Sequence, residues 1–427
     1  APTGAAYYVS PNGNDGNSGT STSSPFRSLE KARDAMRGSN TKTTYLMGGT
    51  YQRSAKLDLV AADNGTSWLG YPGQVPVLEG NGSTVDAINI IDADGITIRG
   101  LTIQNFKKNG IEVGYSLPNH TDPDPNAAST NITIDGNTIL NTKSYDWSQG
   151  AIEVGCGFRN GKITHNYVKG SEYSGIQGVS IGPCDVNNVL IDSNIVLDSC
   201  RSVGDCGAVY YMDDQGSYAP VTISNNIIIG DYGNNGPITP NPDGKWNITQ
   251  GIYLDSNTSG FTLKNNIIYG VGHNAIFISY GNGNVVKNNI LDVSSGTKML
   301  SYGLDGAGGN TEVTCNIAYS SSGNSDIWRS QGGSVNAHGN LFWQGLDAGP
   351  DTNPVVKNPG FVNAAGHDYR FTSGSPMSCF TPIDTSNIGP SGTSVPAPAP
   401  QPTGTPIPQP TGTPAPSGTA HDAFSLI

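Results

Sequence analysis

The sequence predicts an all-β chain, folded as a parallel β-helix with an N-terminal capping helix and a ladder of stacked asparagines. A short phrase, in which a turn residue and an Asn or Leu precede apolar β-formers, recurs nine times between residues 100 and 342. Successive Asn positions lie 29, 28, 32, 40, 23, 27 and 24 residues apart. These intervals suit coils of about two dozen residues with two or three short strands each. The repeated positions are Leu101, Asn137, Asn166, Asn194, Asn226, Asn266, Asn289, Asn316 and Asn340.

Stacking of such coils explains why the repeated residue is Asn. Equivalent residues of neighbouring coils lie about 4.8 Å apart, so an inward Asn amide can bond to the Asn above and the Asn below. We therefore interpret these asparagines as structural. The same stacking converts widely spaced sequence positions into straight rows of side chains on the outer faces, and a row of polar and aromatic groups suits a linear polymer.

The composition narrows the class of partner. The 427 residues include 57 Gly and 28 Pro and only 13% charged residues, which disfavours a helical protein. A net charge of −12 and a pI near 4.8 exclude nucleic acid and anionic membrane as expected partners and weigh, less strongly, against a polyanionic substrate. No apolar run approaches the length of a membrane span.

Cysteine usage indicates an exported protein. Six Cys without a metal-type Cys-x-x-Cys predict three disulfides formed in an oxidising compartment. The chain opens on Ala1 without an apolar leader, which we interpret as a signal peptide already removed, and we expect a secreted, extracellular protein. Six Asn-x-Ser/Thr sequons would make it a glycoprotein in a eukaryotic host. The cysteines are Cys156, Cys184, Cys200, Cys206, Cys315 and Cys379.

Residues 28–37 predict the only convincing helix. Leu29, Ala32 and Met36 fall on one face, Ser28 is the N-cap and Gly38 ends the helix. A parallel β-helix exposes the edge of its first coil, and an open edge invites aggregation. The helix is therefore predicted to cap the N-terminal end.

The composition changes at about residue 387. Residues 1–386 are predicted to form the β-helix catalytic domain, and residues 387–427 a Pro/Thr/Gly-rich linker and tail in which QPTGTP occurs twice. Linkers of this kind tether carbohydrate-binding modules, so either such a module is missing from the C-terminus or the tail is disordered.

Several segments resemble secreted right-handed β-helix carbohydrate enzymes, closest to the β-xylosidase and fucosidase/xylanase families. They are YYVSPNGND at 7–15, SPFRSLEKARDA at 24–35, DCGAVY at 205–210 and GIYLD at 251–255. The resemblance covers most of residues 6–345 and implies a right-handed β-helix that acts on a polysaccharide or oligosaccharide. Ser256 stands where these families carry a second Asp after Leu-Asp, which puts any role needing both carboxylates there in doubt.

One outer row of side chains carries the predicted chemistry. Aligning strand segments by their alternating Ile and Val places two acids, a serine and three aromatic residues on one outer face. Asp213, Asp214 and Asp255 lie just beyond this row on neighbouring coils. Glycoside hydrolysis needs two carboxyl groups about 5 Å apart for retention or about 6.5–9.5 Å for inversion, and coil stacking supplies either spacing. The predicted row is Glu112, Glu153, Ser180, Tyr210, Tyr253 and Phe277.

The function predicted is that of a glycoside hydrolase on plant cell-wall polysaccharide or its side chains. The catalytic candidates are Asp213, Asp214 and Asp255, with Glu153 and Asp205 in support. Substrate contacts are predicted for Tyr210, Tyr253, Trp147, His273 and Arg201. Hydrolysis requires no cofactor, and we expect a monomer.

Two alternatives remain open. A calcium-dependent polysaccharide lyase on a uronate polymer would use Arg201, Lys143 or Arg159 as base and the Asp cluster as a calcium site, but motifs expected of such lyases are absent from the sequence. A non-catalytic glycan-binding β-helix would use the same acids and aromatics without turnover. Long insertions at 114–130 and 231–250 are predicted to wall a cleft, which favours an enzyme.

Overall fold

The computed structural model describes residues 4–114, 128–142, 150–180, 186–201, 205–214, 220–230, 249–294, 297–304, 308–321 and 326–391. Several predictions therefore lie outside the described residues. They concern Lys143, Trp147, Cys184, nearly all of both long insertions, and the tail from residue 392.

The chain is a parallel β-helix, as predicted. Each coil visits three parallel sheets in the order sheet 1, sheet 2, sheet 3, and each strand pairs with its equivalents in the coils before and after it. Sheet 1 has twelve strands: Tyr7–Val9, Thr43–Leu46, Ser67–Gly70, Thr97–Arg99, Thr133–Asp135, Lys162–Thr164, Val189–Asp192, Val221–Ser224, Thr262–Lys264, Val285–Lys287, Thr311–Thr314 and Val335–His338.

Sheet 2 also has twelve strands: Gly49–Gln52, Pro76–Glu79, Thr102–Gln104, Thr138–Leu140, Tyr167–Lys169, Ile195–Leu197, Ile227–Ile229, Ile267–Tyr269, Ile290–Asp292, Ile317–Tyr319, Leu341–Phe342 and Val355–Val356. Sheet 3 has ten strands: Leu57–Leu59, Ile88–Ile90, Ile111–Val113, Ile152–Val154, Ile176–Ser180, Cys206–Asp213, Thr249–Ser256, Asn274–Ile278, Lys298–Tyr302 and Trp328–Ser330.

Two small sheets complete the strand set. Ser129–Thr130 pairs in parallel with Phe158–Arg159, and Phe361–Asn363 forms an antiparallel hairpin with Asp368–Phe371. Short 3₁₀ turns span Ala61–Asp63 and Ala364–Gly366. The core lies inside the coils, where Ile, Val and Leu from all three sheets are fully buried. Within the described ranges, no helix is long and apolar enough to cross a membrane.

The asparagine ladder runs between sheets 1 and 2 and is continuous from Asn137 to Asn340. Each side-chain amide donates to the Oδ1 of the Asn in the next coil, at 2.8–3.1 Å, and all eight are fully buried. Asp351 takes the next position and accepts from the Asn340 amide at 2.6 Å. The ladder therefore ends on a carboxylate, which offers acceptors only.

The residue before each ladder Asn explains the rest of the repeated phrase. These turn residues have left-handed backbone conformations, with φ of 52–68° at His165, Ser193, Asn225, Cys315 and Gly339, among others. Gly and Asn enter this region at low cost. The turn thus requires a conformation rather than one residue type, and its sequence varies while the following Asn does not.

The N-terminal helix spans Leu29–Arg37 and closes the first coil. Ser28 Oγ accepts from the Lys31 backbone N–H, Gly38 is the C-cap, and Leu29, Ala32 and Met36 are buried. An ion pair of 2.6 Å between Arg37 and Asp63 attaches the helix to the coil below it. The prediction of a capping helix is confirmed, residue by residue.

The C-terminal segment covers the outer face of sheet 2. That face is apolar, with a column of isoleucines, and it is covered by Tyr369, Met377, Phe380 and Ile388. Thr381 exchanges two backbone hydrogen bonds with the Asn288 side chain, and the Gly389 N–H donates to Ser193 O at 2.7 Å. Packing therefore continues to Gly389, and the predicted linker beyond it lies outside the described residues.

Disulfides link Cys200 to Cys206 and Cys315 to Cys379, and Cys156 is also disulfide-bonded. None of the described cysteines is free. The first bridge closes a loop beside sheet 3, and the second fastens the C-terminal segment to the last coils.

Candidate active site on sheet 3

The outer row of sheet 3 is a continuous column of side chains, which are buried except for the exposed Arg329 at the C-terminal end. Strand register places the predicted acids and aromatics in this column, with one correction: Gln177, not Ser180, pairs with Tyr210. Gly175, not Gly178, is the equivalent of Ala208, because the Gly175 N–H donates to Ala208 O. The alignment was wrong by three residues because two glycines with this spacing precede similar residues. The observed row is Asn89, Glu112, Glu153, Gln177, Tyr210, Tyr253, Phe277, Ser301 and Arg329.

Aromatic rings dominate the middle of the row. Tyr210 meets Tyr173 edge-on at 6.0 Å and Tyr253 at 5.2 Å, and Tyr253 stacks on Phe277 at 4.8 Å. Tyr210, Tyr253 and Phe277 are each at least nine-tenths buried although they point away from the helix interior. Met212 joins them in a hydrophobic cluster separate from the core.

Asp255 is the carboxylate best defined by its contacts. It is partly exposed and pairs in register with Met212, so it shares the face of the aromatic cluster. Its Oδ2 accepts from Tyr210 Oη at 2.8 Å. Its Oδ1 accepts from the Ser256 N–H at 2.6 Å and from Ser279 Oγ at 3.1 Å. Donors converging from three coils hold the group in one orientation.

The surrounding tyrosines remain protonated donors. Burial raises the pKa of Tyr210 and of Tyr253 well above the ordinary value, and the negative charge of Asp255 adds to both shifts. A hydrogen bond to Asp255 contributes further at Tyr253. Burial also raises the pKa of Tyr173, with the charges of Asp205, Asp255 and Glu153 adding to the effect.

Asp205 lies beside the same tyrosines. It is exposed, and its charge contributes to the raised pKa values of Tyr173, Tyr210 and Tyr253. Two contacts restrain the backbone of Asp205. The next residue, Cys206, forms a disulfide with Cys200, and the carbonyl oxygen of Asp205 accepts from Tyr173 Oη at 3.2 Å. Among the described residues, Asp205 and Asp255 are thus an exposed and a partly exposed carboxylate beside one aromatic cluster.

Asp213 and Asp214 lie on the coil adjacent to Asp255, as predicted, but in a different register. Asp213 pairs with Ser180 and Ser256, one position beyond Met212 and Asp255. Alternation along a strand sends neighbouring side chains to opposite faces. Asp213 is buried and Asp214 is partly exposed.

Glu153 and Glu112 are in register on adjacent coils, and both are almost completely buried. Glu153 affects the site through its charge, which is the smallest contribution to the raised pKa of Tyr173.

The remaining predicted substrate contacts, His273 and Arg201, lie outside the aromatic cluster of sheet 3. His273 precedes the strand that carries Phe277, and burial, with the positive charges of Arg329 and Lys298, lowers its pKa to about 4. Arg201 is partly exposed and lies 3.7 Å from Asp198.

Tyr173 and Ser279 are site residues that the sequence reasoning missed. Tyr173 belongs to the coil whose register was misassigned, and aligning Gly175 with Ala208 would have placed it opposite Cys206, next to Asp205. Ser279 follows the strand Asn274–Ile278 in the coil after Asp255, and the row alignment ended at Phe277. A shallow depression of about 430 Å³ elsewhere, over sheet 1 between Asn160 and Thr222, has no carboxylate in its lining. Among the described residues, no three His, Cys, Asp or Glu side chains group closely enough to hold a metal ion.

Comparison with known proteins supports the fold class. The lacto-N-biosidase of family GH136 from Eubacterium ramulus has a TM-score of 0.58 at 14% identity, over 82% of this chain and 67% of that one. A glycoside hydrolase gives 0.54 at 9% identity, over 82% and 97%, and a pectate lyase 0.51 at 14%, over 90% of each chain. No protein-family model matches the sequence, and a sequence search among curated proteins finds no relative.

Proposed function

We propose that the protein is a secreted glycoside hydrolase that cleaves a plant cell-wall polysaccharide or its side chains in a groove along sheet 3. The observation that carries this proposal is the grouping of Asp255 and Asp205 around Tyr173, Tyr210 and Tyr253. Two carboxyl groups at an aromatic surface are the chemical equipment of glycoside hydrolysis, and hydrolases occur among proteins of this fold.

The two carboxylates have different surroundings, which suggests different roles. Asp255 receives hydrogen bonds from Tyr210, Ser256 and Ser279, which orient it to attack the sugar or to activate water. Asp205 is exposed and suits the acid that protonates the leaving oxygen. Asp213 and Asp214 remain in the proposed carboxylate set, with Glu153 as a buried supporting charge.

Sugar rings would lie over the aromatic cluster, with Tyr210 and Tyr253 shaping the floor. The charges that most strongly affect the pKa values of these tyrosines include those of Asp205 and Asp255. A carboxylate-rich centre repels an anionic sugar, which favours a neutral sugar unit at the point of cleavage. The protein is proposed to act as a monomer without a cofactor.

The test uses Asp255→Asn and Asp205→Asn, which remove a charge with little change of shape. Xylan, pectic, arabinan and alginate substrates are incubated with and without chelator, and new reducing ends and the ultraviolet absorbance of unsaturated products are measured. We expect reducing ends without that absorbance, lost in both variants. Asp368→Asn, which changes a partly exposed carboxylate far along the chain in the C-terminal hairpin, is the matched control and should retain activity.

Other outcomes would redirect the assignment. Unsaturated products that disappear with chelator would indicate a calcium-dependent lyase with Arg201 or another basic residue as base. Binding of these glycans without any product would indicate a non-catalytic β-helix. Full hydrolytic activity in both Asn variants would overturn the assignment of the carboxylates.

A further inference from the structure

Arg329 extends the outer row of sheet 3 beyond the aromatic cluster. It pairs in register with Ser301, which pairs with Phe277, which pairs with Tyr253. The residue is exposed and lies on the last strand of the sheet. A groove that follows this row from Asp255 therefore reaches a guanidinium at its C-terminal end.

The side chain of Arg329 points back toward the candidate active site. Its Nη1 lies 3.4 Å from His273 Nε2, although His273 belongs two coils earlier and the strand Lys298–Tyr302 lies between them. The guanidinium thus lies at the level of the coil next to the one that carries Asp255. One coil is about 4.8 Å, close to the length of one sugar unit.

His273 lies between this guanidinium and Asn274. Its Nε2 lies 3.4 Å from Arg329 Nη1 and its Nδ1 lies 2.8 Å from Asn274 Nδ2. Both partners are donors, and a neutral imidazole accepts at one nitrogen only, so His273 accepts from either Arg329 or Asn274. Asn274 also donates to Gln250 and accepts from Ser301, which pairs in register with Phe277.

Arg329 differs from most arginines of the chain in its partner. Six others pair with carboxylates: Arg33, Arg37, Arg53, Arg99, Arg201 and Arg370. Among the residues that the structure describes, Arg329 instead lies beside the His273 imidazole and is in no ion pair with a carboxylate. Its remaining N–H donors form a planar fork that matches a carboxylate.

We propose that Arg329, which lies beside His273 at the end of the outer row, binds the carboxylate of a uronic acid substituent on a glycan whose neutral unit lies at Asp255. The placement of the neutral unit rests on the proposed function. The acidic centre of the groove opposes a polymer of uronates, whereas a mostly neutral chain with scattered uronic acids places its charge at Arg329 alone. The inferred substrate is therefore an acid-substituted neutral polysaccharide.

The experiment measures binding, so that it does not depend on turnover. The probes are glucuronic-acid-substituted xylo-oligosaccharides, the same oligosaccharides after chemical reduction of their carboxyl groups, and a sulfated oligosaccharide of similar length. Affinities for the wild-type protein, Arg329→Gln and the control Arg370→Gln are measured by titration calorimetry at low and high salt, with circular dichroism to verify folding.

We expect the wild type and Arg370→Gln to bind the acidic probe about fivefold more tightly than its reduced form, as for an exposed ion pair. This preference should vanish in Arg329→Gln and weaken in the wild type at high salt. Equal binding of both probes by the wild type, a preference retained in Arg329→Gln, or a preference for the sulfated probe would overturn the proposal. Absence of hydrolysis with the expected binding would refute the proposed activity and leave this inference standing.

Discussion

Tyr210 Oη donates a 2.8 Å hydrogen bond to Asp255 Oδ2 across two adjacent coils of sheet 3. The two residues are 45 positions apart in the chain, and the hydroxyl is buried while the carboxylate is partly exposed. A group that must act on a sugar is therefore oriented from within the protein, and the tyrosine stays protonated because burial and the charge of Asp255 raise its pKa.

Replacing Tyr210 by Phe removes this donor and keeps the ring. A hydrogen bond to a charged group contributes about 1.5–3 kcal/mol, so we expect kcat to fall by roughly ten- to a hundredfold with little loss of stability. Steady-state hydrolysis of the best substrate, together with thermal unfolding, provides the measurement.

Tyr211→Phe is the matched control for Tyr210→Phe. Tyr211 is the next residue, its ring packs inward on Phe261, and its buried hydroxyl has no hydrogen-bond partner among the described residues. Removing that hydroxyl should be neutral or slightly stabilising. Equal losses of activity in both variants would show that the hydrogen bond to Asp255 is not what matters.

The end of the asparagine ladder should be sensitive to substitution. Asp351 accepts from the Asn340 backbone and side-chain amides and from the Gly339 N–H. Asp351→Ala leaves the two buried Asn340 donors without this acceptor, at about 1–3 kcal/mol each when unsatisfied, and we expect a loss of about 3 kcal/mol in the free energy of unfolding. Urea denaturation of Asp351→Ala, Asp351→Asn and the exposed Asp384→Ala measures it. Asp351→Asn keeps one acceptor oxygen and should lose less, and a control variant as unstable as Asp351→Ala would contradict the end-cap role.

His273 should make the folded state sensitive to acid. Its pKa is lowered to about 4 in the folded protein, mainly by burial, against about 6.5 when unfolded. The unfolded state therefore binds more protons between these values, and this stability is present above pH 6.5 and is lost as the pH falls to about 4. The loss should be on the order of 2 kcal/mol after allowance for partial solvent screening.

The check is unfolding at pH 7 and pH 4.5 for the wild type and His273→Gln. The variant lacks the titrating group, so its stability should fall less over this interval. An identical pH dependence in the two proteins would mean that His273 titrates normally in the fold.

The two described disulfides should have separable effects. Cys200–Cys206 closes a short loop next to Asp205, whereas Cys315–Cys379 closes one with a separation of 64 residues. Loop-closure entropy predicts about 2 kcal/mol for the first and about 4 kcal/mol for the second. The Ser/Ser variant of the first pair should lose activity more than stability, and that of the second should lose stability with kcat retained. Kinetics and unfolding of both variants measure these effects, and the opposite pattern would exclude a positioning role for the Cys200 loop.

Local sequence patterns were sufficient to predict the architecture of this protein. The ladder asparagines, the turn residues before them and the helix at Leu29–Arg37 each depend on neighbours in sequence or on a strict repeat, so periodicity and capping rules were sufficient to locate them. The outer row from Glu112 to Phe277 followed from strand alternation in the same way, apart from one coil. The prediction was wrong for that coil because either Gly175 or Gly178 could be aligned with Ala208, which gives two registers three residues apart. Only hydrogen bonding to the next coil selects between them.

By itself, the sequence determined the repeat, the capped β-helix, and which acids and aromatics belong to sheet 3, because these features are encoded within single coils. Only the tertiary structure decided that Asp255 faces Tyr210 while Asp213 is offset by one position, that Arg329 reaches back to His273, and that residues up to Gly389 cover sheet 2. Each of these depends on the lateral register of coils and on the path of long side chains between them. Insertions of variable length leave that register unspecified in the sequence, and interior packing and the asparagine ladder then select it.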